Sequence, residues 1–115
     1  MKIAIPTNGK NLDDLVATHF GRAKNFLIYN TENKNFKIIQ NTSQHMGGQG
    51  IPPELLKQHN INTVICNSLG FKAVQNLTES AIEIYCGANN SIKQALIDFF
   101  NKQLTKATKD NSCNH

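Results

Sequence analysis

Several things are scarce in this chain of 115 residues, and each scarcity excludes something. No apolar run comes near the roughly 20 residues that a membrane-spanning helix needs. The opening Met1-Lys2-Ile3-Ala4-Ile5-Pro6 is too short, and too soon broken by proline, for a secretory leader. The expectation is a cytoplasmic protein with no membrane partner. Hydrophobic residues are 39% and charged residues 17% of the chain. Both are low, but the apolar residues fall in discrete runs, which argues for a folded domain rather than disorder. The net charge is +4, yet Arg22 is the single arginine among twelve basic residues. The lysines are scattered, with Lys102, Lys106 and Lys109 near the C-terminus. The arginine-and-aromatic stripe of nucleic-acid readers is missing, so the charge reads as a solvated surface and no nucleic-acid partner is expected. Three widely spaced cysteines, Cys66, Cys86 and Cys113, do not make the framework of a secreted disulfide scaffold and fit a reducing compartment.

Catalytic signatures are equally thin. A two-metal nuclease needs acidic residues clustered at the centre of its sheet, and the first apolar run holds none. Asp13 and Asp14 fall in a loop, and Glu79 and Glu83 near the edges of elements. There is no phosphate loop of the Walker type, no Gly-x-Gly-x-x-Gly run and no nucleophile motif. A binding protein is more economical than an enzyme.

What is present is an orderly alternation of elements. Strands are expected over residues 2–6, 25–30 and 36–40, the last two joined by the hairpin loop Thr31-Glu32-Asn33-Lys34-Asn35. The segment from Asn41 to Gly50 carries Gly47, Gly48 and Gly50 and reads as a loop. A helix follows from Ile51 to about His59, then a strand over 63–66, a helix to Thr78, a strand over 82–86 and a long helix over 92–104. Three strands in a row followed by helix-strand-helix-strand-helix demand parallel crossovers in the second half. The expected fold is α/β, a five-stranded mixed sheet in which the first three strands are antiparallel and the last two run parallel to the first. The first strand should be central. Residues 1–104 form one domain, and the polar stretch 105–115 is expected to be a flexible tail.

In open α/β sheets ligands bind beyond the carboxyl ends of the strands. Residues 7–22, 41–50, 67–70 and 87–91 can gather there. Asn67-Ser68-Leu69-Gly70 and Gly87-Ala88-Asn89-Asn90-Ser91 each open a helix, whose first N–H groups attract anions; taken alone, each reads better as a structural turn. His19 and Arg22 lie three positions apart in the first loop. Imidazole ligates borderline metals and guanidinium neutralises anions. The alternative is a histidine satisfied by a backbone carbonyl and an arginine paired with Asp13 or Asp14. His45-Met46-Gly47-Gly48 offers two further metal-ligating side chains beside flexible glycines, or is a loop with no role. Cys66 and Cys86 read as small buried hydrophobes. Cys113 and His115 are a terminal pair of soft ligands, too few to close a metal site by themselves.

Met1-Lys2-Ile3-Ala4-Ile5-Pro6-Thr7 followed by His19-Phe20-Gly21-Arg22-Ala23 resembles the dinitrogenase iron-molybdenum cofactor biosynthesis family. The Gly47-Gly48-x-Gly50 loop, Val64-Ile65-Cys66-Asn67 with Leu69-Gly70, and Ile84-Tyr85-Cys86-Gly87-Ala88 are similar to it as well, so the likeness runs over about residues 1–104. It implies a ribonuclease H-like three-layer α/β/α fold without nuclease activity. It also implies non-covalent binding of an anionic iron–sulfur or molybdenum-containing cluster, carried or stored during cofactor assembly and not needed for folding. By the same resemblance His19, Phe20, Gly21 and Arg22 face the cluster, and His45, Gly47, Gly48 and Gly50 border the same cavity, with Asn67, Gly70 and Gly87 at the neighbouring strand ends. Metal ligation would fall to His19 and His45, with Cys113 and His115 as further candidates. Partners would be cofactor-assembly or cluster-receiving proteins. The alternative function is a regulatory or protein-interaction module of the same fold that has lost the cluster.

Overall fold

The computed structural model describes residues 1–41 and 53–107. Its sheet has six strands: β1 (Lys2–Thr7), β2 (Asn25–Asn30), β3 (Phe36–Gln40), β4 (Thr63–Ile65), β5 (Glu83–Cys86) and β6 (Thr105–Ala107). Their order is β3-β2-β1-β4-β5-β6. β1 is central, antiparallel to β2 and parallel to β4. β2 and β3 form the expected hairpin, and β4 and β5 are parallel.

The alternation of side chains along β1 explains why the middle of the sheet is buried on both faces. Ala4, with Phe26, Ile28, Val64 and Ile84, faces α1 (Pro53–Gln58) and α2 (Phe71–Glu79), which contribute Leu56, Val74 and Leu77. Ile3 and Ile5, with Leu27 and Ile65, face α3 (Ile92–Phe100), which contributes Ile92, Ala95 and Leu96. Two cores on the two faces of one sheet make a three-layer arrangement. Ser91 caps α3 by accepting the Gln94 N–H at 3.1 Å.

Three expectations need correction. The sheet has six strands, not five, because residues 105–107 pair antiparallel with β5 (Ile84↔Ala107, Cys86↔Thr105). Thr105 and Lys106 are exposed and Ala107 alone is buried, so no apolar pattern marks this strand; its backbone pairing does. The last helix stops at Phe100 rather than running to residue 104. Asn101 closes it by donating to Ile97 and Phe99 carbonyls, and Lys102 takes a positive φ of 59°, which turns the chain back toward the sheet edge. Pro6 also fails to end β1, which continues to Thr7. The parallel ladder to β4 covers only Ile3 and Ala4, so the proline lies past it and leaves no gap there.

Candidate functional site

β1, β4 and β5 are parallel, and β3 shares their direction through two antiparallel pairings. Their carboxyl ends therefore lie along one edge of the sheet. Residues 8–24, 41, 67–70 and 87–91 are collected at that edge by the topology alone.

The first loop is stitched down along its length. The buried Thr7 hydroxyl donates to the Leu15 carbonyl at 2.8 Å and accepts the Gly9 N–H at 3.0 Å. Ala17 N–H donates to the Pro6 carbonyl, and Val16 N–H to Asn90. Asn8 Oδ1 accepts the Lys24 N–H. The Asp14 carboxylate accepts the Lys10 and Asn11 N–H groups at 2.8 and 2.9 Å, which hold its pKa below the usual carboxylate value. A Cβ on Gly9 would collide with that carboxylate. The glycine of the Asn8-Gly9 pair thus serves close approach, whereas positive φ among the described glycines occurs at Gly87.

The loop ends in a 3-10 turn over Phe20–Arg22. Phe20 is buried and packs edge-to-face on Phe26, ring centroids 5.2 Å apart. It therefore anchors the turn in the core. His19, just before the turn, is exposed, and its side chain makes no cap hydrogen bond. Its backbone forms a parallel bridge with Ser68, which sets the His19 loop directly beside the loop after β4. Arg22 is exposed, and its N–H closes the turn on the His19 carbonyl at 3.2 Å.

Sequence reasoning missed Asn41. It is buried, and its Nδ2 donates to the Ala23 carbonyl at 2.8 Å and to Gly21 at 3.4 Å. It ties the far side of the turn to the carboxyl end of β3. A lone asparagine right after a strand and ahead of a glycine-rich stretch was the available signal. Ser68 was likewise passed over for its neighbour Asn67.

The loops after β4 and β5 are bound to each other. Gly87 N–H donates to the Asn67 carbonyl at 3.0 Å and Ala88 N–H to Cys66 at 3.2 Å. Gly87 has φ +98°, a conformation that side chains disfavour. Gly70 differs. It is the N-cap of α2 with φ −67° and ψ 155°, open to any residue, and a Cβ there would meet nothing within 4 Å. Neither the backbone nor the packing requires glycine at this position, and its effect is to leave the first N–H groups of a nine-residue helix uncovered. Cys66, beneath this rim, is fully buried, and burial pushes its thiol up to about 12.

The edge therefore brings together His19, Gly21, Arg22, Asn67, Gly70 and Gly87. His45, Gly47, Gly48, Gly50, Cys113 and His115 lie outside the described residues. Among the described residues no group of three or more His, Cys, Asp or Glu converges. The donor set is made of backbone amides, an imidazole and a guanidinium, which suits a bulky soft anion held from outside better than a bare cation held by chelation. No helix among the described residues is long and apolar enough to cross a membrane.

Comparison with known proteins matches residues 1–102 to the family model described as "Dinitrogenase iron-molybdenum cofactor". An uncharacterised protein of Methanocaldococcus jannaschii is 32% identical over 111 residues, covering 92% of this chain and 91% of its own. Among solved structures, the apo form of the orange protein from Desulfovibrio gigas superposes with a TM-score of 0.88 at 24% identity, over 99% of this chain and 96% of that one. A putative NifB protein from Thermotoga gives 0.77 at 28% identity, over 91% of both chains.

Proposed function

Because the chain belongs to the dinitrogenase iron-molybdenum cofactor family, we propose that it holds an anionic metal–sulfur cluster, iron–sulfur or molybdenum-containing, and carries or stores it during cofactor assembly without transforming it. The bridge between His19 and Ser68 carries this reading. It sets the imidazole-and-guanidinium loop beside a helix start that Gly70 leaves open. A thiometallate cluster is large, soft and negative. Uncovered amides and one cation complement its charge, and the imidazole offers a ligand that it can exchange. The uncovered space at Gly70 is room that a cluster's sulfides can enter.

On this reading the cluster is cargo and not a structural part of the fold. Among the described residues no buried side-chain polar atom lacks a partner. The order β3-β2-β1-β4-β5, with β2 alone reversed and helices on both faces, supports a ribonuclease H-like classification, with β6 added at the edge. Cluster-assembly or cluster-receiving proteins in the cytoplasm are the partners this reading calls for, approaching the same edge.

The test is anaerobic reconstitution of the purified protein with ferrous iron and sulfide, and separately with tetrathiomolybdate, followed by metal and sulfide analysis and visible absorption. Stoichiometric uptake that falls about tenfold in His19→Ala or Arg22→Ala supports the site, the loss of one charge-assisted contact being worth roughly that factor. Uptake unchanged in both variants rejects it. No uptake by the unaltered protein, together with a specific protein complex in pull-downs, favours an interaction module.

A further inference from the structure

The opposite end of the sheet carries a second constellation. Between the β2–β3 hairpin and the start of β1 lies an open hollow of about 180 Å³, lined by Lys2, Ile28, Asn30, Asn33, Asn35, Phe36 and Lys37. That is room for several waters at roughly 30 Å³ each. The pairings Lys2↔Asn30 and Ile28↔Lys37 put Lys2, Ile28, Asn30 and Lys37 on one face of the sheet, the face that packs α1. His59, just after α1, lies close enough that Lys37 and Lys2 both lower its pKa, after the larger effect of burial. Three basic groups therefore share one small region.

Lys2 and Lys37 supply the charge of the hollow, and Asn30, Asn33 and Asn35 supply its polar side chains. Asn30 Oδ1 accepts the Glu32 N–H at 2.9 Å and Asn33 Oδ1 accepts the Asn35 N–H at 2.9 Å. Each of these oxygens already accepts one hydrogen bond from the hairpin backbone, and the Nδ2 groups are available to donate. The ion pairs among the described residues join Met1 to Glu32 and Lys106 to Glu83, so neither Lys2 nor Lys37 has a carboxylate partner among them. No Asp or Glu lines the hollow. Two ammonium groups and carboxamide donors without a counter-charge suit an ion that brings acceptors only and carries more than one negative charge.

We infer that the hollow formed by Lys2, Asn30, Asn33 and Lys37 is a binding site for a small tetrahedral dianion. Phosphate, sulfate and molybdate share that shape and charge. The site is separate from the cluster edge: β1 spans the gap, Lys2 at its start and Thr7 at its end, roughly 17 Å at about 3.3 Å per residue. It stands whether or not the cluster reading does.

The experiment is an amide-shift titration of the full chain by NMR at low, constant ionic strength, with sodium phosphate, sodium sulfate and sodium molybdate, and sodium chloride as control. The site predicts saturable shifts at the amides of Asn30, Asn33, Asn35 and Lys37 with each dianion and none with chloride. It predicts affinity about tenfold weaker in Lys2→Met/Lys37→Met. Lys10→Met/Lys24→Met, at the other end, leaves it unchanged. Tighter binding of one dianion identifies the natural source. Shifts spread evenly over lysines of the whole surface, or equal loss in both double variants, overturn the inference. Because Lys2 and Lys37 lie far from the cluster edge, Lys2→Met/Lys37→Met still takes up cluster if both readings hold.

Discussion

Gly70 is the residue at which fold and proposed function pull apart. As the N-cap of α2 it supplies no side-chain oxygen, and its space is empty. Aspartate would cap the helix better by a few tenths of a kcal/mol and would place a negative charge on the helix start. Gly70→Asp is therefore expected to keep or slightly raise the melting temperature while abolishing uptake of an anionic cluster. Calorimetry and reconstitution of the same sample check both halves, and retained uptake would remove the helix start from the site. Asn41 and Phe20 act differently, since each holds the 3-10 turn by buried contacts. They hold in place the turn that carries His19 and Arg22.

At the scale of elements, β6 decides how the sheet ends. It covers β5 with three residues, of which Ala107 alone is buried, facing Ile84 across the pair. Ala107→Asp sets a carboxylate against the apolar core and is expected to cost about 2 kcal/mol or more, lowering the melting temperature by roughly 8 °C. Lys106→Ala removes an ion pair whose two side chains are about half exposed, so its loss is expected to leave the melting temperature nearly unchanged. Thermal unfolding of the two variants separates the contributions, and an unchanged Ala107→Asp would mean that residues 105–107 add nothing to the sheet.

At the scale of the whole molecule, stability should peak between the ranges in which its shifted groups titrate. Hydrogen bonds from Lys10 and Asn11 depress the Asp14 pKa, so its contribution is present above the unfolded value near 3.8 and is lost as pH falls through the lower folded value. Burial and then the neighbouring lysines depress His59. Protonation thus favours the unfolded chain, and stability drops as pH falls below about 6.5. Burial raises Cys66 from 9.0 to about 12, so the unfolded chain ionises first and stability falls as pH rises above 9. Chemical denaturation between pH 4 and 11 is expected to give a maximum between pH 6.5 and 9. At pH 8 a thiol reagent should reach Cys66 only on unfolding, and rapid labelling of the native protein there would contradict the burial.

The linear chain by itself determined the order of elements and the centrality of β1. Apolar alternation and helical spacing are local properties, and right-handed crossovers leave few topologies for three strands followed by two helix–strand units. It also placed His19, Arg22, Gly70 and Gly87 in loops at the strand ends. Only the tertiary structure decided the sixth strand, because Thr105–Ala107 is held by backbone pairing to β5 rather than by a pattern of its own. The same is true of Phe20, which packs inward on Phe26, and of Asn41 and Ser68, whose partners are 18 and 49 positions away in the chain. Contacts between distant segments leave no mark in local sequence, and these contacts bring the two loops together.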